Sequence, residues 1–264
     1  MLDAASHHKV VAMLAKAQAD RTAMPLPSGL FTPFSLEDGY AVQHAWAGLR
    51  IEAGIRHVGY KVGLTSRAMQ SALGVSEPHY GHLFDDGLRQ SGAAIAMNAF
   101  LRPKLEVELA FIMGTDLEGP ELMVTDVLRA TEFVQPALEI VDYRTAAPRP
   151  APDMVADNMA GAGAILGGRP VRPFDFDLRW IGATLSRNGV IEESGVSAAV
   201  MGHPAAGVVA LARALAAHGR AIKRGDIILS GSFTRQIEFA AGDVIHADFG
   251  PLGSVASAFI AGAT

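Results

Sequence analysis

Two glutamates stand two positions apart in the stretch PKLEVELAFIMG, Pro103 to Gly114. Its apolar spacing is that of a strand, in which residues two apart point the same way. Leu105, Val107, Leu109 and Phe111 then line one side, and Lys104, Glu106, Glu108 and Ala110 line the other. A third carboxylate, Glu139, sits in PALEIVD, again inside an apolar run. On a single strand such glutamates are ordinarily the wet face of a half-exposed sheet. Two separate strands that each set Glu among apolar neighbours give that reading a rival. Carboxylates converging in a core repel one another unless a cation neutralises them. A donor set made only of oxygens suits Mg2+ or Mn2+, with positions left for substrate and water. Lys61, in GYKVGLTS, is a second candidate. If buried, it would have a lowered pKa and could carry a proton. A solvated strand lysine is the commoner case.

Other catalytic patterns are absent. There is no P-loop, no H-E-x-x-H and no G-x-S-x-G. GAGAILGG, Gly161 to Gly168, has the wrong spacing for a dinucleotide loop and reads as a tight turn in a β-rich core. The chain has no cysteine, which excludes disulfides, thiolate nucleophiles and cysteine metal clusters. Net charge is −5, without the basic stripe of a nucleic-acid binder. The N-terminus lacks a basic start followed by an apolar block, so no signal peptide is expected. The longest apolar region, Gly195 to Ala217, is interrupted by His203, Pro204 and Arg213 and reads as no membrane span. A cytoplasmic location is expected.

The elements that must position these residues follow from periodicity. The first third is helical: Val10 to Ala19, then a helix capped by Ser35 with Asp38 three residues on, ending near Gly54. VGYKVGLTS is a short strand, and Ser66 caps a helix over Arg67–Leu73. Strands are expected at 106–113, 137–141, 162–166, 182–187, 190–193, 226–230, 237–240, 243–249 and 254–260. Asn188-Gly189 marks a hairpin. Helices start at Thr125 and span about Pro204 to His218. The Pro-rich stretch Arg144 to Met154 reads as a flexible loop at the active site or an interface. The division is a helical N-terminal region, residues 1–75, and a β-rich core, residues 76–264. Half of the residues are hydrophobic, enough for a large core.

KVGLTSRAMQ, SEPHYG, PKLEVELAFI, PALEIVD, VADNMAGAG, LGGRPV, RNGVIEESG, GHPAAGVVALA and GDIILSGSFTR occur in this order. Together they resemble the hydratase/decarboxylase branch of the fumarylacetoacetate hydrolase family, from about Ser35 to Ile260. The resemblance implies an α+β fold: a helical N-terminal part plus a mixed, barrel-like β-roll that holds the metal. It implies homo-oligomers built on dimeric or fivefold contacts. By match to the family's motifs, Glu106, Glu108 and Glu139 are implied as ligands of Mg2+, with Mn2+ as the alternative. Lys61 is implied as the catalytic lysine. The turn Leu64-Thr65-Ser66 would bind the substrate's 1-carboxylate, with Ser232, Thr234 and Arg235 near the substrate. His79 is a departure, because hydratases of this branch carry Asp there and decarboxylases an apolar residue. His79 is either an acid or base, given a pKa near neutrality, or a packing or substrate-contact residue.

The implied activity is Mg-dependent hydration of a 2-hydroxy-2,4-dienoate or its 2-oxo-3-enoate tautomer, in the breakdown of aromatic compounds. The expected substrate is a seven-carbon diacid and the product a 4-hydroxy-2-oxo acid. Arg144, Arg169 and Arg235 are the candidates for holding its distal carboxylate. The alternative is decarboxylation of a 4-oxalocrotonate-type acid. Acylpyruvate C–C hydrolysis and a non-catalytic partner subunit rank lower. The partner is a small 2-oxo acid or diacid, not nucleic acid or membrane.

Overall fold

Caps and apolar spacing set the helices close to where the sequence predicts them. The computed structural model describes residues 1–262. Its helices are α1 (Ala4–Asp20), α2 (Pro27–Leu30), α3 (Leu36–Glu52), α4 (Arg67–Leu73), α5 (Val124–Ala130), α6 (Ala151–Ala156) and α7 (Pro204–Ala216). Ser35 and Asp38 form a reciprocal capping box on α3, a device worth about 1 kcal/mol. Ser66 caps α4, which stops at Gly74 in the left-handed conformation.

The strands are β1 (His57–Gly63), β2 (His79–Phe84), β3 (Leu88–Gln90), β4 (Ala94–Ala96), β5 (Lys104–Met113), β6 (Thr131–Val141), β7 (Gly161–Leu166), β8 (Gly182–Arg187), β9 (Val190–Val196), β10 (Ile227–Leu229), β11 (Ile237–Glu238), β12 (Val244–Asp248) and β13 (Ser254–Ile260). They form two mixed sheets. The larger has eight strands, in the order β2-β1-β10-β5-β6-β7-β3 with β11 beside β5; the smaller has five, β4-β13-β12-β8-β9. This is the expected mixed α+β architecture, although neither sheet closes into a barrel among the described residues. Asn188 and Gly189, both at positive φ, turn the hairpin between β8 and β9. β1 lies before the division expected at residue 75, yet it hydrogen-bonds into the sheet of the later part.

Besides the short α2, β3 and β4, which are not predicted, three stretches differ from the sequence reading. β2 is not predicted, because all six of its residues are buried and it shows no alternation. β6 begins well before Ala137 and passes through Pro136. Ala137–Leu166 is the last β6–β7 pair, so the missing N–H of Pro136 interrupts no ladder on that side. GAGAILGG, by contrast, carries the strand expected at 162–166 as β7 and then turns at Gly167-Gly168. Arg144 to Met154 is anchored at both ends, with Ala146, Ala147, Pro148 and Pro150 exposed between them. Arg144 and Thr145 are buried, α6 begins within the stretch at Ala151, and Met24 N–H donates to the Arg144 carbonyl at 2.9 Å.

The segment Ser197–Ala216 is long and apolar enough to cross a membrane by length and composition alone, but half of it is buried in the protein. On α7, Val208, Leu211, Ala212 and Leu215 belong to the main core.

The Arg144 guanidinium and backbone N–H bind the fully buried Asp157 carboxylate. Removing one member of a buried pair strands the other charge. Arg144→Met is therefore expected to cost about 3–5 kcal/mol in denaturant unfolding. A loss below about 1 kcal/mol would show that the pair does not anchor this segment.

Candidate active site

One face of the large sheet gathers the candidate residues, as the strand registers dictate. Glu106 is the cross-strand partner of Glu139, and Glu108 of Ala137. Ala110, two further along β5, pairs with Leu229, which pairs with Lys61 on β1. Lys61 pairs with Gly81 on β2, and Gly63 with His79. Paired residues share a face, so Glu106, Glu108, Glu139, Lys61 and His79 all project to the same side. The floor is small-sided: Ala110, Ala137 and Ala164 pack with Leu83, Leu166 and Leu229. The opposite face carries Val107, Leu109, Phe111, Leu138 and Ile140 into the main core.

One oxygen from each of Glu106, Glu108 and Glu139 lies within 4.8 Å of the others. Glu108 and Glu139 are fully buried. Glu108 Oε2 accepts the Gly231 N–H at 2.8 Å. Glu106 Oε1 accepts from Gln236 Nε2 at 3.0 Å, and the same amide donates to the Tyr143 hydroxyl at 3.1 Å. Glu108 Oε1 and Glu139 Oε2 are buried and accept no hydrogen bond. Lys61 Nζ lies 3.0 Å from Glu139 Oε1 and donates to the Met159 carbonyl at 3.0 Å. One ammonium beside three carboxylates leaves two negative charges, the charge that a divalent cation neutralises. The unpartnered buried oxygens and the all-oxygen donor set fit such an ion.

Burial raises the Glu139 carboxyl to about 7, against the pull of Lys61. It raises Glu108 well above the ordinary carboxylate range, with Glu139 and Glu106 adding to the effect. Lys61 goes the opposite way from the sequence reading. Burial opposes its charge, but Glu139, Glu106 and Glu108 more than offset this, and its pKa rises.

The Met159 carbonyl reaches Lys61 through an unusual backbone. Asn158, Met159 and Ala160 all have positive φ, at 53°, 50° and 58°. Such residues cost of order 1–3 kcal/mol each and persist where the surroundings hold them. The Asn158 amide does so, accepting from His82 N–H at 2.7 Å and donating to the His82 carbonyl at 3.0 Å. Gly81 is required opposite, because a Cβ there would collide with the Asn158 carbonyl.

His79 is buried. Its Nδ1 is 3.1 Å from the Tyr40 hydroxyl, and its Nε2 has no partner. Burial lowers its pKa, against the pull of Glu77. Leu64 has a left-handed φ of 59° and Ser66 Oγ caps α4. Thr65 packs against Gly231, where an added Cβ would lie 2.6 Å from Thr65 Oγ1. Ser232 and Thr234 engage the backbone of β5: Ser232 Oγ donates to the Val107 carbonyl, and Thr234 Oγ1 accepts the Val107 N–H. Arg235 is not brought to the carboxylates in this way. Its side chain is 86% exposed and pairs with Glu193. Tyr40, Tyr143, Gln236, Asn158 and Met159 were not singled out from sequence. Tyr40 reads as one more apolar-face residue of α3, and Gln236 carries no motif of its own.

A cavity of about 800 Å3 is lined by Tyr40, Thr65, Arg67, Gln70, Glu77 and His218, among others. A smaller one, about 180 Å3, touches His82 and Ile140, whose side chains alternate away from Gly81 and Glu139. It belongs to the other side of the sheet.

Residues 55–260 match the family described as Fumarylacetoacetate (FAA) hydrolase C-terminal. The chain is 44% identical to the 2-oxo-hept-4-ene-1,7-dioate hydratase of Escherichia coli over 267 residues, covering 98% of this chain and 100% of that one. It superposes on 4-oxalocrotonate decarboxylase from Pseudomonas putida G7, complexed with calcium and acetate, with a TM-score of 0.95 at 32% identity, over 98% of this chain and 99% of that one. A second structure of that decarboxylase, complexed with magnesium and adipate, gives 0.93 at 31% identity, with the same coverage.

The raised carboxyl values set a pH dependence. A carboxyl whose folded pKa lies above its ordinary value contributes stability at low pH and loses it as pH rises through the folded value. For Glu139 that window runs from 4.5 to about 7. Metal-free protein is expected to lose stability across it. A divalent cation binds only the ionised carboxylates, so added Mg2+ or Mn2+ should raise Tm more near about pH 8 than near about pH 5.5. Equal shifts at both pH values would contradict the assignment.

Proposed function

This chain belongs to the fumarylacetoacetate hydrolase family, and from that premise we propose that it is a metal-dependent hydratase acting in the breakdown of aromatic compounds. Its substrate is a 2-hydroxy-2,4-dienoate, the seven-carbon diacid 2-hydroxyhepta-2,4-dienedioate, whose 2-oxo-3-ene tautomer accepts water. The observation that carries this reading is the cluster of Glu106, Glu108, Glu139 and Lys61 with two unpartnered buried carboxylate oxygens. Full-length similarity to a hydratase of a seven-carbon diacid supports it. The magnesium and adipate of the related decarboxylase support both the ion and a diacid.

Glu106, Glu108 and Glu139 would hold Mg2+, with Mn2+ as the substitute. When bound there, the ion would supply positive charge against the negative charge that develops on the substrate's 2-oxo acid end. Lys61, held as an ammonium between Glu139 and the Met159 carbonyl, gives a proton to C5 and recovers the one that leaves the 2-hydroxyl. Water then adds across C3 and C4, with hydroxyl to C4 and a proton to C3. His79 stays neutral because burial lowers its pKa. With Nδ1–H donated to Tyr40, its Nε2 accepts a proton from the water. Thr65 and Ser66 sit beside the cluster to receive the 1-carboxylate, and Ser232 and Thr234 fix the adjoining turn. We place the enzyme in the cytoplasm as a homo-oligomer. Exposed Phe174, Trp180, Val190 and Ile191 support an assembly.

A second reading is decarboxylation of a 2-oxo diacid by the same cluster. It is favoured by His79, which supplies no carboxylate, and by the close superposition on a decarboxylase.

Product analysis separates the two. Incubated with 2-hydroxyhepta-2,4-dienedioate and with 4-oxalocrotonate, with Mg2+ or with EDTA, the protein is expected to give the 4-hydroxy-2-oxo diacid from the former only when metal is present. Stoichiometric CO2 release without a hydroxylated product would replace hydration by decarboxylation. Lys61→Ala and His79→Ala should each lower kcat by about 10²- to 10⁴-fold. A near-normal rate in either variant removes that residue from the mechanism.

A further inference from the structure

The carboxylates, Lys61 and His79 do not themselves line the cavity of about 800 Å3, but two contacts connect its wall to them. Thr65, on its wall, packs against Gly231, whose N–H binds Glu108. Tyr40, also on its wall, reaches His79. A substrate whose 2-oxo acid end lies at the carboxylates therefore has this space to extend into.

Three basic side chains line it: Arg67, Arg213 and His218. The Arg213 guanidinium is committed to the carbonyls of Pro120 and Leu122, at 3.1 and 3.2 Å. The His218 ring packs on Tyr40 and His44, with centroids 5.2 and 5.5 Å away. The Arg67 side chain makes no hydrogen bond or ion pair among the described residues. The arginines favoured from sequence are engaged elsewhere. Arg144 is paired with Asp157, Arg235 with Glu193, and Arg169 lies over Phe176. Two carboxylates share the wall, Glu37 and Glu77. Both are exposed and oppose an incoming anion.

We propose that Arg67 is the specificity-determining residue of this site, binding the distal carboxylate of a dicarboxylate substrate. The proposal rests on the reading that the glutamate cluster receives the 2-oxo acid end. Arg67 follows the Thr65-Ser66 turn directly, so one short segment serves both ends of the substrate. A planar guanidinium offers a bidentate, charge-assisted contact to a carboxylate. A monoacid of the same length leaves Arg67 unmatched and loses that contact. Glu77 works against the diacid and sets how much Arg67 gains.

Calorimetry on the Mg2+-loaded protein tests this with two unreactive ligands, 2-oxoheptanedioate and 2-oxoheptanoate. The wild type should bind the diacid more tightly. In Arg67→Gln the diacid-to-monoacid affinity ratio should fall about 10- to 100-fold. Arg67→Lys should recover part of it, and Glu77→Gln should raise it. An unchanged ratio in Arg67→Gln, equal loss of both ligands, or a wild type with no preference for the diacid would overturn the proposal. Turnover of the corresponding dienoates, measured in parallel, keeps the two readings apart. Absent turnover with an intact, Arg67-dependent binding ratio refutes the hydratase and leaves the specificity residue standing.

Discussion

Three glutamate side chains, two of them fully buried, confront one another on one face of a sheet. Their mutual repulsion is the constraint that organises the rest of the site. Ionised carboxylates at this separation and burial are unfavourable unless positive charge is supplied. Lys61 supplies part of it, 3.0 Å from Glu139. The balance is two negative charges, and Glu108 Oε1 and Glu139 Oε2 still lack any donor. A hard divalent cation meets both deficits together. The same charge, beside a bound 2-oxo acid, would stabilise negative charge on the substrate's oxygen in the proposed reaction.

The scaffold makes this arrangement affordable through a division between the two faces of one sheet. On β5, bulky Val107, Leu109 and Phe111 alternate with Glu106, Glu108 and Ala110. The bulky set fills the main core, and the other set opens onto a floor of alanines. Gly63 and Gly81, the direct partners of His79 and Lys61, keep that side uncrowded. The left-handed run Asn158-Met159-Ala160 closes it from above and brings a carbonyl to the lysine. Backbone strain is concentrated where it positions Lys61, and the Asn158 amide holds it in place.

Much of this was legible in the sequence, because alternation is a local property. E-x-E on an apolar strand put two carboxylates on one face, and the Asn-Gly hairpin and the Ser35 cap needed only neighbours in the chain. The pairing of Glu106 with Glu139 is non-local: apolar neighbours on both strands raise it as a rival to a wet face, and the family resemblance makes it specific. His79 was flagged by its departure from a motif, whereas β2, which carries it, was hidden by burial on both faces. Lys61 was expected to have a lowered pKa from burial alone. Its three acidic neighbours reverse the sign in the metal-free protein. Arg144 looked like a loop residue until Asp157 appeared opposite it, and Arg235 like a substrate contact until Glu193 did. In each miss, the deciding partner lies far away in sequence.

The central claim is that Glu106, Glu108 and Glu139 hold one divalent cation. Anomalous diffraction from crystals soaked in Mn2+ addresses it most directly. The account predicts a single strong peak per chain within coordination distance of oxygens from all three glutamates. It also predicts that Lys61 remains next to Glu139. A map with no peak there, or with Mn2+ bound only at surface carboxylates, would contradict it.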